Sequence, residues 1–286
     1  MNELLIFGSC NIDIIAKSYQ KIVPFDKNPG ITYYGMGGVG RNIFESILRL
    51  GFKADFATNI GNDMFAKAMI DHLEKLDGTV FVNEVDMPTS SFTSILDENN
   101  DYYLSISSMD IASKFTTELL NSIDYTNYKL IGVDANSPVI LDFVFNLNKT
   151  IFADATSAAK VSAFKPYLNK LDYLKCTDEE FTALFDTNDK QAVSLKYKQM
   201  HIIITDKEKP INYYHNTTHQ IFNVEYVQPI STIGAGDCFS GGLLYAITNN
   251  LDIATGIKLG SKMSALTLQD QIAVSANITQ NLLKEL

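Results

Sequence analysis

At 286 residues, with 46% hydrophobic and 20% charged side chains, the chain is long enough for one large α/β domain with a sizeable core, or for two small ones. A formal net charge of −10 argues against a nucleic-acid polyanion as main partner, without excluding a nucleotide held at a local site. No run approaches the roughly 18 apolar residues of a membrane helix, no signal peptide is evident, and the scattered Cys10, Cys176 and Cys238 suit reduced thiols in a cytoplasmic protein.

Leu4–Ile15 reads as a first strand that carries Asn11-Ile12-Asp13 at its end. A carboxylate at the carboxyl end of a strand can accept hydrogen bonds from a ligand's hydroxyls. Read alone, Asp13 is an exposed loop residue. Asn28-Pro29-Gly30 is a turn and Ile31–Tyr34 a short strand. Gly35-Met36-Gly37-Gly38-Val39-Gly40-Arg41-Asn42 then opens a helix that runs to about Leu50, with Gly51 as its cap. Arg41, Glu45 and Arg49 recur every four residues and pair along one helix face.

Gly35-x-Gly37-x-x-Gly40, with Asp55 twenty residues after Gly35, also fits the dinucleotide-binding fingerprint of a dehydrogenase. That fingerprint belongs straight after a long buried first strand, and the strand preceding it here is short and polar. It would also leave a second glycine turn, at 234–237, without explanation.

Gly61-Asn62-Asp63 caps a helix expected over Met64–Leu76. Ser90–Leu96 and Tyr102–Ser107 flank Glu98-Asn99-Asn100-Asp101 as a hairpin. Strands then alternate with helical segments. Lys129–Val133, Ile151–Ala155, Asp172–Cys176 and His201–Thr205 read as strands; Pro138–Leu147, Ala158–Leu168 (helix or turn), Glu179–Phe185 and Gln191–Tyr197 lie between and after them. That rhythm predicts a mainly parallel sheet covered on both faces. Ile211–Tyr214 is a further strand, and His215 and His219 flank a turn rather than form a metal site. Ile253–Leu268 is a last long helix, and no linker or repeat divides the chain.

The stretch richest in chemistry is Ser231-Thr232-Ile233-Gly234-Ala235-Gly236-Asp237-Cys238-Phe239, where a small-residue turn opens into a helix from Asp237 to about Thr248. Such a turn aims unpaired N–H groups and a partial positive charge at one spot, which suits a phosphate or a developing oxyanion. Asp237 adds a carboxylate there. Together they are what phosphoryl transfer to an alcohol requires, although Asp237 is equally a plausible N-cap.

Thr232-Ile233-Gly234-Ala235-Gly236-Asp237-Cys238-Phe239 resembles the signature of the ribokinase-like (PfkB) carbohydrate and nucleoside kinases, in which Gly-Ala-Gly-Asp carries the catalytic base. Asn28-Pro29-Gly30, Gly37-Gly38-Val39-Gly40-Arg41-Asn42 and Leu48-Arg49-Leu50-Gly51 resemble the N-terminal motif of the same family. Within it the pattern is closest to the pseudouridine kinases, as are Met109–Leu120 and the Asp-x-x-Ser-x-x-Lys of Asp154–Lys160.

The resemblance implies a three-layer α/β/α sandwich over residues 1–286, with a small β lid built from about 14–36 and 88–108. It implies an ATP-dependent phosphotransferase acting on the 5′-hydroxyl of a ribosyl substrate, with pseudouridine as the first expectation. The alternatives are another sugar or nucleoside kinase of the family, or a sugar-binding regulatory protein with weak catalysis. Asp237 would be the base and Gly234, Ala235 and Gly236 the anion hole. Asn11, Asp13, Gly37, Gly38 and Asn42 would hold the sugar. Thr177, Glu180, Thr205, Gly234 and Gly236 would serve the nucleotide, with Glu180 ordering Mg²⁺ through water. A homodimer contact would run through the lid, where Tyr102 and Tyr103 suit such a surface.

The sequence departs from the family at five places. Ser107 and Ser108 stand before Met109 where Asn-Asp is expected; Thr177 replaces the Asn of Asn-x-x-Glu; Lys207 and Pro210 replace two loop glycines; and Ser231 replaces an acid that helps bind a monovalent cation, so K⁺ activation is not assumed.

Overall fold

The computed structural model describes residues 2–285. In chain order, β1 (Leu4–Phe7) leads to β2 (Asn11–Ser18) and β3 (Gly30–Gly37), then α1 (Val39–Arg49), β4 (Asp55–Ile60), α2 (Met64–Leu73) and β5 (Thr79–Glu84). β6 (Ser91–Leu96) and β7 (Tyr102–Ser108) follow, then α3 (Thr117–Ser122), β8 (Leu130–Asp134), α4 (Leu141–Val144), β9 (Thr150–Asp154), β10 (Tyr173–Cys176), α5 (Asp178–Phe185), α6 (Lys190–Lys196) and β11 (His201–Ile204). The last elements are β12 (Ile211–His215), β13 (Thr218–Phe222), α7 (Ala235–Thr248) and α8 (Ile253–Leu268).

Nine strands form one sheet in the order β13-β12-β11-β10-β9-β8-β1-β4-β5. The strands from β11 to β5 run parallel; β12 pairs antiparallel with β11, and β13 antiparallel with β12. Successive side chains in a strand point to opposite faces, and β1 shows the result. Leu5 and Phe7 join a core with Ile131, Val133 and Leu174, which α4 and α5 cover through Leu141, Val144 and Phe181. Leu4 and Ile6 join the opposite core, which α1, α2 and α7 cover through Phe44, Met69 and Leu243. A sheet apolar on both faces needs a helical layer on each, which is the three-layer sandwich expected from the strand–helix rhythm.

A second sheet of four strands, β3-β2-β6-β7, stands apart from the first. β2 pairs antiparallel with β3 and parallel with β6, and β6 pairs antiparallel with β7. The hairpin read between Ser90 and Ser107 is the β6–β7 pair, and Asn100 turns it with φ 71°.

Several expectations need correction. The single strand Leu4–Ile15 is two strands in two sheets, interrupted at Gly8-Ser9-Cys10, where the Ser9 N–H turns aside to the Asp134 carboxylate at 2.8 Å. The helix from Met64 ends at Leu73 rather than Leu76. Pro138–Leu147 is a 3₁₀ turn followed by the four-residue α4. Ala158–Leu168 holds only a 3₁₀ segment, Val161–Tyr167, in which Pro166 lacks the N–H an α-helix would use. β4, β5 and β13 have no counterpart among the expected strands.

Candidate active site

Strand register builds the floor of the site. Asp134 is paired with Asp154, and Asp154 with Lys175, so the carboxyl ends of β8, β9 and β10 set two carboxylates and an ammonium side by side. All three are buried. Lys175 Nζ lies 3.2 Å from Asp154 Oδ2, and the Ser240 hydroxyl donates to the same oxygen at 2.7 Å. Asp134 accepts from the N–H groups of Ser9 and Asn136, each at 2.8 Å. Burial favours neutral Lys175, but Asp154, Glu180 and Asp237 around it outweigh burial and raise its pKa.

Helix α7 hangs its first turn over this row. Its N-cap, Gly234, has φ 78°, and a Cβ there would collide with the Ala273 carbonyl, so only glycine fits both the angle and the space. A Cβ on Gly236 would meet Lys175 Nζ at 3.1 Å, so the ammonium faces the same turn as the free N–H groups. Close packing fixes the helix: Gly241 abuts Ser46 of α1, and Gly242 abuts Gly260 of α8.

Asp237 projects from that first turn. It is half-buried and accepts from Asn42 Nδ2 at 2.6 Å. Burial and the neighbouring Asp154 push its carboxyl up to about 7, while the Asn42 bond and Lys175 pull the other way. A carboxylate with its pKa near neutrality can collect a proton and release it again.

The residues read as a sugar site meet where the two sheets join. Asn11 Nδ2 donates to Asp13 Oδ1 at 2.6 Å, and the Cα of Gly37 lies against the Asp13 carboxylate. Asp13 is not at a strand's carboxyl end, nor exposed: it is the third residue of β2 in the small sheet, and is buried. Burial pushes its carboxyl up to about 6, partly offset by the charge of Arg41 and the Asn11 bond. Gly38, with φ 102°, carries the chain from β3 into α1 over the Ser9 carbonyl, and α1 brings Asn42 to Asp237.

The residues read for the nucleotide lie beyond Lys175. Thr177 and Glu180 form a capping box at the start of α5: the Glu180 N–H donates to Thr177 Oγ1 at 3.2 Å and the Thr177 N–H to Glu180 Oε2 at 2.7 Å. Burial raises the Glu180 carboxyl, and Lys175 opposes the rise. Thr205 follows β11, with its N–H on the Cys176 carbonyl at 2.9 Å, and no hydrogen bond joins it to the Asp237 cluster. Lys207 takes φ 52°, a left-handed conformation that suits glycine better than a residue with a Cβ.

Among the described residues no group of three or more His, Cys, Asp or Glu could hold a metal by itself. Mg²⁺ bound together with phosphates needs fewer protein ligands, because phosphate oxygens and water fill most of its octahedron. Glu180 fits that part, with Oε2 engaged in the cap and Oε1 left to order water.

The fold therefore joins Asn42 to Asp237, Asp13 to Asn11 and Gly37, and Thr177 to Glu180. Sequence reading did not single out Asp134, Asp154 or Lys175 for the site. Their signal was a charged residue at the carboxyl end of a mostly apolar strand. Of the fingerprint glycines, Gly35 and Gly37 lie within β3 of the small sheet and Gly40 in α1, so the turn does not follow a strand of the parallel sheet, and Asp55 accepts from the Tyr128 hydroxyl at 2.5 Å.

Comparison with known proteins agrees with this layout. The pseudouridine kinase of Escherichia coli (strain K12) is 26% identical over 286 residues, which cover 93% of this chain and 90% of that one. The ribokinase of Thermotoga maritima superposes with a TM-score of 0.84 at 20% identity, over 99% of this chain and 100% of the other. The ribokinase of Cryptococcus neoformans, solved in complex with ADP, superposes at 0.77 and 18% identity, over 100% and 99%. The sandwich is thus a ribokinase-like fold. The model of the pfkB family of carbohydrate kinases matches residues 1–280, through both sheets and past the Gly-Ala-Gly-Asp turn, and the chain belongs to that family of phosphotransferases.

Proposed function

We propose that this sugar or nucleoside kinase moves the γ-phosphoryl group of ATP to the 5′-hydroxyl of a ribosyl substrate, pseudouridine before others. The observation that carries the reading is the 2.6 Å bond between Asn42 and Asp237, which brings a sugar-side residue against a carboxylate with its pKa near 7. The ADP held by the Cryptococcus neoformans ribokinase and the 26% identity to a pseudouridine kinase support nucleotide and nucleoside respectively.

In this mechanism Asp13, Asn11, Asn42 and the amides around Gly37 and Gly38 hold the sugar hydroxyls. Asp237 takes the proton of the attacking hydroxyl. The N–H groups from Gly234 to Asp237, with the Lys175 ammonium beside Gly236, stabilise charge on the transferring group. Mg²⁺ supplies charge neutralisation between the phosphates when bound. Glu180 orders its water. The four-stranded sheet acts as a lid that excludes water and limits wasteful hydrolysis. Its exposed Tyr34, Leu104 and Ile106 support a homodimer contact through the lid. Three buried free thiols suit a cytoplasmic enzyme.

The test is ADP release with Mg-ATP and pseudouridine, uridine, adenosine, ribose or fructose 6-phosphate, with Asp237→Asn as control. Turnover on pseudouridine is expected, and Asp237→Asn should lower kcat by roughly 10²–10⁴-fold while sugar binding stays near normal. Turnover on a free sugar or purine nucleoside alone would overturn the substrate, and normal kcat in the variant would overturn the base.

A further inference from the structure

Arg41 is a costly residue where it stands. It is 2% exposed, and it lies in the first turn of α1, the helix end at which a positive charge is disfavoured. Pairing with Glu45 does not account for it. Glu45 also accepts from Arg49 Nε at 2.9 Å and Nη2 at 2.6 Å, and lies 3.1 Å from His72 Nε2. A lysine could supply the charge that pairs with Glu45 at 2.5 Å.

The rest of the guanidinium is engaged elsewhere. Nη2 donates to the Met36 carbonyl at 2.6 Å and to Asn42 Oδ1, and Nε donates to the Gly37 carbonyl at 3.3 Å. A rigid fork thus ties the last two residues of β3 to the side chain of Asn42. Guanidinium has only donors, so it can face only the oxygen of the Asn42 amide. The amide then has one orientation left: Nδ2 points away from Arg41, at Asp237 Oδ2. A donor aimed at a carboxyl group favours its ionised form. Turned over, the same amide would offer an oxygen and favour the protonated acid.

We propose that Arg41 is a positioning residue for phosphoryl transfer: it fixes which end of the Asn42 amide faces Asp237, and so keeps the base ready to accept a proton. This rests on the reading of Asp237 as the base. The charged groups that face Asp237 are Asp154, Lys175 and Asp134, at the ends of β9, β10 and β8. Those around Arg41 are Glu45 and Arg49 on its own helix, His72 on α2 and Asp13 on β2. None of them can replace the fork, because none donates to Asn42 Oδ1.

The experiment is a double-mutant cycle on the whole protein, with ADP release as readout. Arg41→Met with Glu45→Gln removes both buried charges together and leaves only the part-exposed Arg49 without its carboxylate. It should lower kcat on the order of tenfold or more, leave KM for ATP unchanged and move the acid limb of the pH profile upward. Arg41→Lys keeps the charge without the fork and should move the limb in the same direction; it carries the test if the double variant fails to fold. In an Asn42→Ala background the Arg41 and Glu45 changes should add less than about twofold. Losses that multiply in that background, or a limb that does not move in either Arg41 variant, would overturn the proposal. Asp237→Asn, measured alongside, separates the outcomes: full turnover there would sink the base reading itself.

Discussion

Asp237 is held among charges of its own sign. Burial and Asp154 push its carboxyl up to about 7, so the free enzyme loses its base as the pH falls through that value. The ionised form does the work, and kcat/KM reports the free enzyme. A plot of log kcat/KM against pH should therefore fall on the acid side of a bend near 7, more steeply below the Asp13 value of about 6, and flatten above 7. A bend near 4, the ordinary carboxylate range, would mean that Asp237 is more solvated than its neighbours allow. The motif around Asp237 was legible because its glycines are adjacent in sequence. The meeting of Asp154 with Lys175 was not, because it arises through strand register across 21 residues, which no local pattern records. Asp13 was legible as a carboxylate but misplaced, because nothing in an apolar run shows that the chain changes sheets at Gly8.

At the level of elements, the longest helices were read best. α8 was expected over Ile253–Leu268 and is found there, because its amphipathic pattern and the Asp252 cap agree. β13 was missed because it is a mostly exposed edge strand with little apolar pattern. The turn between β11 and β12 shows what a side chain costs in the left-handed conformation. Lys207 adopts φ 52°, and for a residue with a Cβ that conformation costs about 1–2 kcal/mol. Lys207→Gly should therefore raise stability by about 0.5–1 kcal/mol, after the greater freedom of glycine in the unfolded chain is offset. Thermal melting measures it. A lower melting temperature would show that the Lys207 side chain contributes more than its backbone angle costs.

For the whole molecule, the parallel sheet gathers chemistry at one end, while the small sheet leaves much apolar surface uncovered. Cross-strand register places Tyr34, Ile14, Thr93 and Ile106 in one row, with Thr32, Ala16, Ile95 and Leu104 in the next. Tyr34 is 67% and Ile106 62% exposed, which is unusual for a sheet face in water. A second copy would bury this face in the proposed dimer. Sedimentation velocity should give a dimer for the natural chain and a monomer for Ile106→Asp, with nucleotide binding intact in both. A natural chain that stays monomeric at tens of micromolar would overturn the dimer and leave the kinase reading standing. The α/β alternation announced the large sheet. The second sheet followed only from the family resemblance, since its strands are separated by α1, β4, α2 and β5.

The carbonyl of Ala273 that braces Gly234 bears on how the enzyme is made. Asn42 leaves the ribosome 195 residues before Asp237, a gap of roughly 10–40 s at ordinary rates of translation. During that interval the nascent chain carries its sugar-side residues but no base. The turn that aims Asp237 is not braced until Ala273, which follows later still, closes over it. On the proposed mechanism a chain still without Asp237 and Ala273 cannot spend ATP on a sugar.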